Sequence, residues 1–299
     1  PTFMEAAVAA GKHVYCEKPV ATDAAGCKRI QRVGEGLNGK LSVVIGFQIR
    51  YATPYVEMVK RIQRADIGDI TNAQLYYFSS GTKIHDYKNV IDDEFRIRNH
   101  YHFHALSGGI LLDQGIHMLD VCNWTLKANP VKATGTGGDK GGPGIGDAWN
   151  NYQVLYQYPG INVSFHSTQL GPSFGDVCCR FIGTKGMAEA HYSGGVFING
   201  ENKWDSGIAR SASELTPQQQ ASGVFLSSLH DADANKEKVF INSIETGNHL
   251  NETASGAAST LTAILGREAA AAGREMSWED MLASPQLDPK LNLSQFDRQ

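Results

Sequence analysis

The chain has 299 residues, 41% hydrophobic and 19% charged, with 27 Lys and Arg against 31 Asp and Glu for a formal net charge of −4. That balance lacks the basic excess that nucleic acid or an anionic membrane selects, so neither is an expected partner, and no apolar run approaches the roughly 20 residues of a membrane-spanning helix. Five cysteines without regular spacing define no disulfide framework.

Pro1–His13 has the pattern of a helix tail stopped by Gly11, followed by a short buried strand, HVYC. A second helix is expected from Thr22 as N-cap, with Ile30, Val33 and Leu37 on one face. The continuous apolar run LSVVIGFQI (41–49) predicts a strand buried on both faces. Helix, strand, helix, strand with short links is the rhythm of a doubly wound parallel sheet. Two strands are few for such a sheet, so the chain is expected to start in mid-domain. From residue 50 the pattern changes. Thr53-Pro54 opens a helix that Gly68 closes, the strand ITNAQLYYF (70–78) follows, and then comes a polar loop containing GTKIHDYKNV. A long helix is expected near 110–127. NYQVLYQY and INVSFHSTQ, joined by Pro159-Gly160, predict a hairpin, and DVCCRFIG, MAEAHY and VFING continue an antiparallel meander. Cys178 and Cys179 should point to opposite faces of their strand as packing residues. The last third returns to helix, closing with TASGAASTLTAILGREAAAAG and SWEDML behind a Ser cap.

Three stretches carry chemistry. Lys18 lies between a strand end and Pro19, where open α/β sheets bind ligands, although a surface lysine at a strand exit gives the same pattern. In SGGILLDQGIHMLDVCNW (107–124) a regular helix places Asp113, His117 and Asp120 on one face. A carboxylate beside the imidazole would raise its pKa toward that of a general base; a buried histidine satisfied by an aspartate reads identically. In Asn99–His104 alternating histidines of an extended segment would share one side. Zinc motifs such as paired Cys or HExxH are absent there, so pocket lining is favoured and no metal is assigned. The glycine-rich TGTGGDKGGPGIG (134–146) has no GxGxxG register and leads into a strand, so it predicts a loop and not a phosphate cradle.

GKHVYCEKPVA (11–21), GGILLDQGIHMLD (108–120) and LGREAAAAGREMSWEDML (265–282) together resemble, in order and spacing, the Gfo/Idh/MocA oxidoreductases, and the resemblance covers essentially the whole chain. It implies an α/β fold: residues 1–49 as the tail of a Rossmann domain, and 50–299 as a substrate and dimerisation domain with a large, mostly antiparallel sheet, whose terminal helices pack back on the first part. The family's glycine fingerprint is missing, which implies an N-terminal truncation and weak NAD binding by these 299 residues alone. The resemblance further implies NAD or NADP as cofactor, a sugar or polyol substrate, and a homo-oligomer formed through the C-terminal sheet. By the same likeness Lys18 would stabilise the substrate alkoxide, His117 would take its proton, and Asp113 would orient substrate or His117. Glu17, Pro19 and Gln48 would lie near the nicotinamide, often with a cis peptide before the proline; Arg98, Tyr101, His102 and His104 would contact substrate. Two other readings stand beside the dehydrogenase: an NAD-dependent glycosidase working by oxidation and elimination, and a non-catalytic binding or dimerisation module.

Overall fold

The computed structural model describes residues 1–82, 84–85, 92–142, 144–169, 176–209 and 227–296. Much of GTKIHDYKNV, the polar loop after the 70–78 strand, lies outside the described residues.

The first part is a small parallel α/β unit. Helix α1 (Thr2–Ala9) leads to β1 (Val14–Cys16), which pairs in parallel with β2 (Val43–Ile45) across helix α2 (Ala24–Gly36). Asp23, not Thr22, caps α2, its carboxylate accepting the Gly26 amide at 2.7 Å. A carboxylate there also suits the positive end of the helix dipole. The 41–49 run is not one strand. It is extended only at Val43–Ile45, and after Gly46 it tightens into a 3-10 turn (Gln48–Tyr51) that runs into α3 (Thr53–Gln63).

The second part is a nine-stranded mixed sheet. In spatial order it runs β10 (Trp204–Asp205), β9 (Val196–Gly200), β8 (Gly186–His191), β7 (Asp176–Gly183), β3 (Ile70–Phe78), β6 (Ile161–Thr168), β5 (Asn151–Tyr158), β4 (Lys132–Gly138) and β11 (Met276–Ser277). Only β3 and β6 pair in parallel; every other neighbour is antiparallel. Strict alternation splits the sheet into two faces. Leu75, Tyr152, Val154, Tyr156, Val163, Phe165, Cys179 and Phe181 form the buried face. The opposite face is more open, with Leu155 62% exposed and the Tyr76 ring set at a tilt against Phe78 and His166. The glycine-rich 134–146 segment is a loop only in part, because β4 continues through Gly138. A Cβ on Gly137 would come within 2.4 Å of the Asn151 carbonyl, so glycine is what lets these two strands close.

Helices α4 (Asp92–Arg98) and α5 (His104–Ser107) precede the helix that the sequence predicts near 110–127. It is not uniform: Leu111–Gly115 is a π-helical segment and only α6 (Ile116–Leu126) is regular. Helix α7 (Ala232–Glu245) is followed by the 20-residue α8 (Thr253–Ala272). Helix α8 packs against α2 of the first part and against β4, β5 and α6 of the second. Its Arg267, 2% exposed, donates to the Thr22 carbonyl and to Glu268. Helix α9 (Trp278–Leu282) follows Ser277, whose hydroxyl accepts the Asp280 amide. No helix among the described residues is long and apolar enough to cross a membrane.

Candidate active site

The carboxyl ends of β1 and β2 deliver Glu17, Lys18 and Gln48 to one region, since parallel strands finish on the same edge. The Lys18–Pro19 peptide is cis. A Cβ at Gly46 would lie 2.4 Å from a Glu17 carboxylate oxygen, so the glycine lets that side chain fold over the second strand. Tyr15 holds Glu17 by a 2.8 Å hydrogen bond.

The Lys18 ammonium reaches the π-helical segment, donating to the Asp113 carbonyl and standing 3.8 Å from the Asp113 carboxylate. A π segment interrupts the i→i+4 ladder and so leaves a main-chain acceptor for use outside the helix. Burial lowers the Lys18 pKa, while the Asp113 and Glu17 charges oppose that shift. Burial raises the Tyr101 pKa, and the nearby Asp113 carboxylate adds to that shift.

His117 sits one turn beyond, 5% exposed, with Phe47 and Tyr192 set edge-on against it at 6.4 and 6.1 Å between ring centres. Its Nδ1 is buried without a hydrogen-bond partner among the described residues. The expectation that a neighbouring carboxylate raises its pKa fails. Burial first, then the charges of Lys18 and Lys236, push it down to about 3, leaving a neutral imidazole at physiological pH. Neither carboxylate of the expected trio meets the imidazole. Asp113 is engaged by Lys18 and Tyr101, whereas Asp120, 1% exposed, accepts two hydrogen bonds from Arg50 and one from Ser259. Asp120 ties the 3-10 turn to two helices and takes no part in the cleft.

The histidine run does not share a side either, because it is not extended. His100–His102 is a 3-10 turn and His104 starts α5. His102 faces Thr82 at 3.4 Å, whereas His104 lies in the field of Arg267 and Glu268. Burial lowers the pKa of both. The Arg98 guanidinium pairs with Glu94 at 2.7 Å on the exposed side of α4. Tyr101 and His102, with Asp139, Trp149 and Gln169, line a polar cavity of about 280 Å³. It adjoins the Lys18 cluster through Tyr101, and through Gln169, which bonds Gln114 next to Asp113.

Two residues were not foreseen. The Tyr192 hydroxyl accepts the Gln48 amide at 2.6 Å while its ring covers His117. Lys236, 7% exposed on α7, bonds Asp233 at 2.9 Å and lies over the Tyr15 ring. Tyr192 had a weak signal, an aromatic at a strand exit; Lys236 is one of several lysines in a polar helix, and only its burial distinguishes it.

Comparison with known proteins fits this geometry. Residues 1–47 match the description "Oxidoreductase family, NAD-binding Rossmann fold", and residues 55–189 match "GFO/IDH/MocA C-terminal domain". The chain belongs to the Gfo/Idh/MocA oxidoreductase family. Among curated Gfo/Idh/MocA relatives, the inositol 2-dehydrogenase of Salmonella typhimurium is 30% identical over 189 residues, 62% of this chain and 49% of that protein. The chain spans about half the length of that relative, and 32% of the Gluconacetobacter diazotrophicus inositol 2-dehydrogenase. Solved structures show the same fold. The apo scyllo-inositol dehydrogenase of Lactobacillus casei superposes with a TM-score of 0.66 at 22% identity, covering 94% of this chain and 75% of that one. GenD2 from gentamicin A biosynthesis, in complex with NAD, gives 0.69 at 17%, covering 92% and 74%.

Proposed function

We propose that the protein is an NAD- or NADP-dependent dehydrogenase that oxidises a secondary hydroxyl of a sugar or polyol. The observation that carries this reading is the meeting of an aimed, desolvated Lys18 with a neutral, buried His117 at the carboxyl ends of parallel strands. Glu17, Lys18, Pro19 and Gln48 fit the nicotinamide end of a dinucleotide, because they rim the carboxyl edge of the parallel strands, where open α/β sheets bind ligands. When bound, that ring accepts the hydride of the carbinol carbon.

The chain's own residues handle the proton and the charge. Lys18 donates a hydrogen bond to the substrate oxygen and stabilises alkoxide character as the C–H bond breaks. His117 takes the hydroxyl proton on a ring nitrogen, so the products are a ketone, a reduced nicotinamide and one proton. Asp113 holds Lys18 in place, and Tyr101 and the polar cavity bind neighbouring hydroxyls. Phe47 and Tyr192 keep water off the imidazole. Residues 1–49 serve the cofactor and 50–299 the substrate. The open sheet face is where a second copy would pair.

The test is reduced-nicotinamide formation with NAD or NADP and a panel of inositols, aldoses and sugar acids, using the protein and its Lys18→Met variant. Turnover of at least one polyol that depends on Lys18 supports the reading; a panel without any Lys18-dependent turnover overturns it. The cavity beside Tyr101 also has room for a leaving group, which favours a second reading, oxidation–elimination of a glycoside. Release of the aglycone from a chromogenic glycoside without net nicotinamide reduction would select it.

A further inference from the structure

Strands β7 and β8 form a hairpin on the open face of the sheet, away from the cleft. Alternation puts Asp176 and Cys178 of β7, and Glu189 and His191 of β8, on that one face. Cys178 and His191 are direct register partners, and Asp176 lies two residues from Cys178 on the same side. Thus a thiol, an imidazole and a carboxylate converge, their donor atoms all within 4.8 Å of one another. His191 Nδ1 is 3.2 Å from Asp176, while Nε2 is 2.8 Å from Glu189, which Arg180 holds in turn.

Packing alone does not require this arrangement. Both cysteines of the pair are buried, but Cys179 packs into the apolar core, whereas Cys178 turns to the opposite face and lies across from the histidine. We propose that Asp176, Cys178 and His191 bind a divalent transition-metal ion, with zinc best matched to the donor set. A sulfur, an aromatic nitrogen and one carboxylate are the mixture that zinc accepts in tetrahedral sites, where bonds of about 2.0–2.3 Å set neighbouring ligands some 3.3–3.8 Å apart. Donor atoms within 4.8 Å of one another stand about 1 Å outside that spacing, and the ion would draw them together. Cys178 binds as the thiolate and His191 through Nδ1, each releasing its proton to solvent. Nε2–H then donates to Glu189, the carboxylate–histidine–metal relay that fixes a ligand ring. Water takes the fourth position.

The histidines that stand out in the sequence, His100, His102 and His104, are not members of this cluster. The site clamps the end of β8, and the next residue is Tyr192, whose ring covers His117 on the other side of the sheet. Its first effect is therefore structural, felt one peptide away from the cleft.

The test is titration of chelator-treated protein with cobalt(II), read by absorbance. One equivalent should produce a thiolate-to-cobalt charge-transfer band and the visible bands of a tetrahedral centre, and zinc(II) should bleach them. Cys178→Ser should lose the charge-transfer band while Cys16→Ser keeps it. Glu189→Gln should weaken binding by about 10- to 100-fold without removing the band. If Cys178→Ser does not fold, Asp176→Asn and His191→Gln are assayed by metal content after gel filtration, and both should fall below one ion per chain. A protein that develops no cobalt band, or keeps it in Cys178→Ser, overturns the proposal, as does unchanged metal content in both substitutes. None of these readouts uses enzymatic turnover, so they stand apart from the dehydrogenase reading.

Discussion

The Lys18 ammonium is held by the main chain of Asp113 as well as by its carboxylate. A carbonyl anchor survives substitution of the aspartate side chain, so the two residues should separate in a mutant series. Asp113→Asn should leave Lys18 in place and lower kcat by roughly tenfold. Lys18→Met should lower it by about 100- to 1,000-fold, the range for loss of a donor to a developing oxyanion. Steady-state kinetics with a thermal melt on each variant checks this; equal losses would mean that the carbonyl contact does not position the lysine.

Replacing His117 should divide activity from stability. A buried polar atom without a partner costs about 1–3 kcal/mol, so His117→Leu should keep or raise stability at neutral pH while removing about 100- to 10,000-fold of turnover. Its folded pKa of about 3 lies below the ordinary 6.5. Between these values the unfolded chain binds a proton that the folded chain refuses. Stability is therefore full above about 6.5 and falls with acidification, by up to about 1.4 kcal/mol per pH unit. Denaturant titrations at neutral and mildly acidic pH should show this slope shallower in His117→Leu; parallel slopes would place the proton uptake elsewhere.

Tyr192 shields His117 with its ring and anchors Gln48 with its hydroxyl. Tyr192→Phe should raise KM a few-fold with little change in kcat. Tyr192→Ala should admit water to the imidazole and move the acid limb of kcat/KM upward, toward the ordinary histidine range. An unmoved limb in Tyr192→Ala would show that Phe47 alone excludes solvent.

Arg50 and Asp120 form a buried pair outside the chemistry. Arg50→Ala leaves an uncompensated carboxylate and should destabilise by about 3–5 kcal/mol. Activity per folded molecule should persist, as measured below the melting transition. Selective loss of kcat without loss of stability would return Asp120 to the catalytic cluster.

Leu155 stands well exposed on the open sheet face. Leu155→Lys should shift the molecular mass in solution from oligomer toward monomer by light scattering, with an unchanged far-ultraviolet spectrum. A wild-type protein that is monomeric at high concentration would remove that face as a pairing surface.

What the sequence made legible was local. The 151–168 hairpin follows from alternation and Pro159-Gly160, and Lys18 from a strand end against a proline. Spacing rules assume a regular helix, and here Leu111–Gly115 is π-helical, so i, i+4 spacing did not carry Asp113 onto His117, and the carboxylate turns to Lys18. Tyr192 and Lys236 enter the cleft from a distant meander and a late helix, contacts set by tertiary packing that no local pattern encodes. Cys178 and Cys179 do fall buried on opposite faces, as alternation requires, whereas the meeting of Cys178 with His191 is set by the register of β7 and β8, which the sequence does not print.

Helix α8 leans on α2 and on the large sheet at once, and Arg267 fastens it to the Thr22 carbonyl. Swinging one unit away from the other would strip a buried guanidinium of its main-chain acceptor and pull a 20-residue strut off one of its two supports. The distance between Lys18 and His117 is therefore built in when the chain folds. Any opening or closing of the cavity then falls to the loops that carry Tyr101 and Trp149, above a framework that behaves as a fixed anvil.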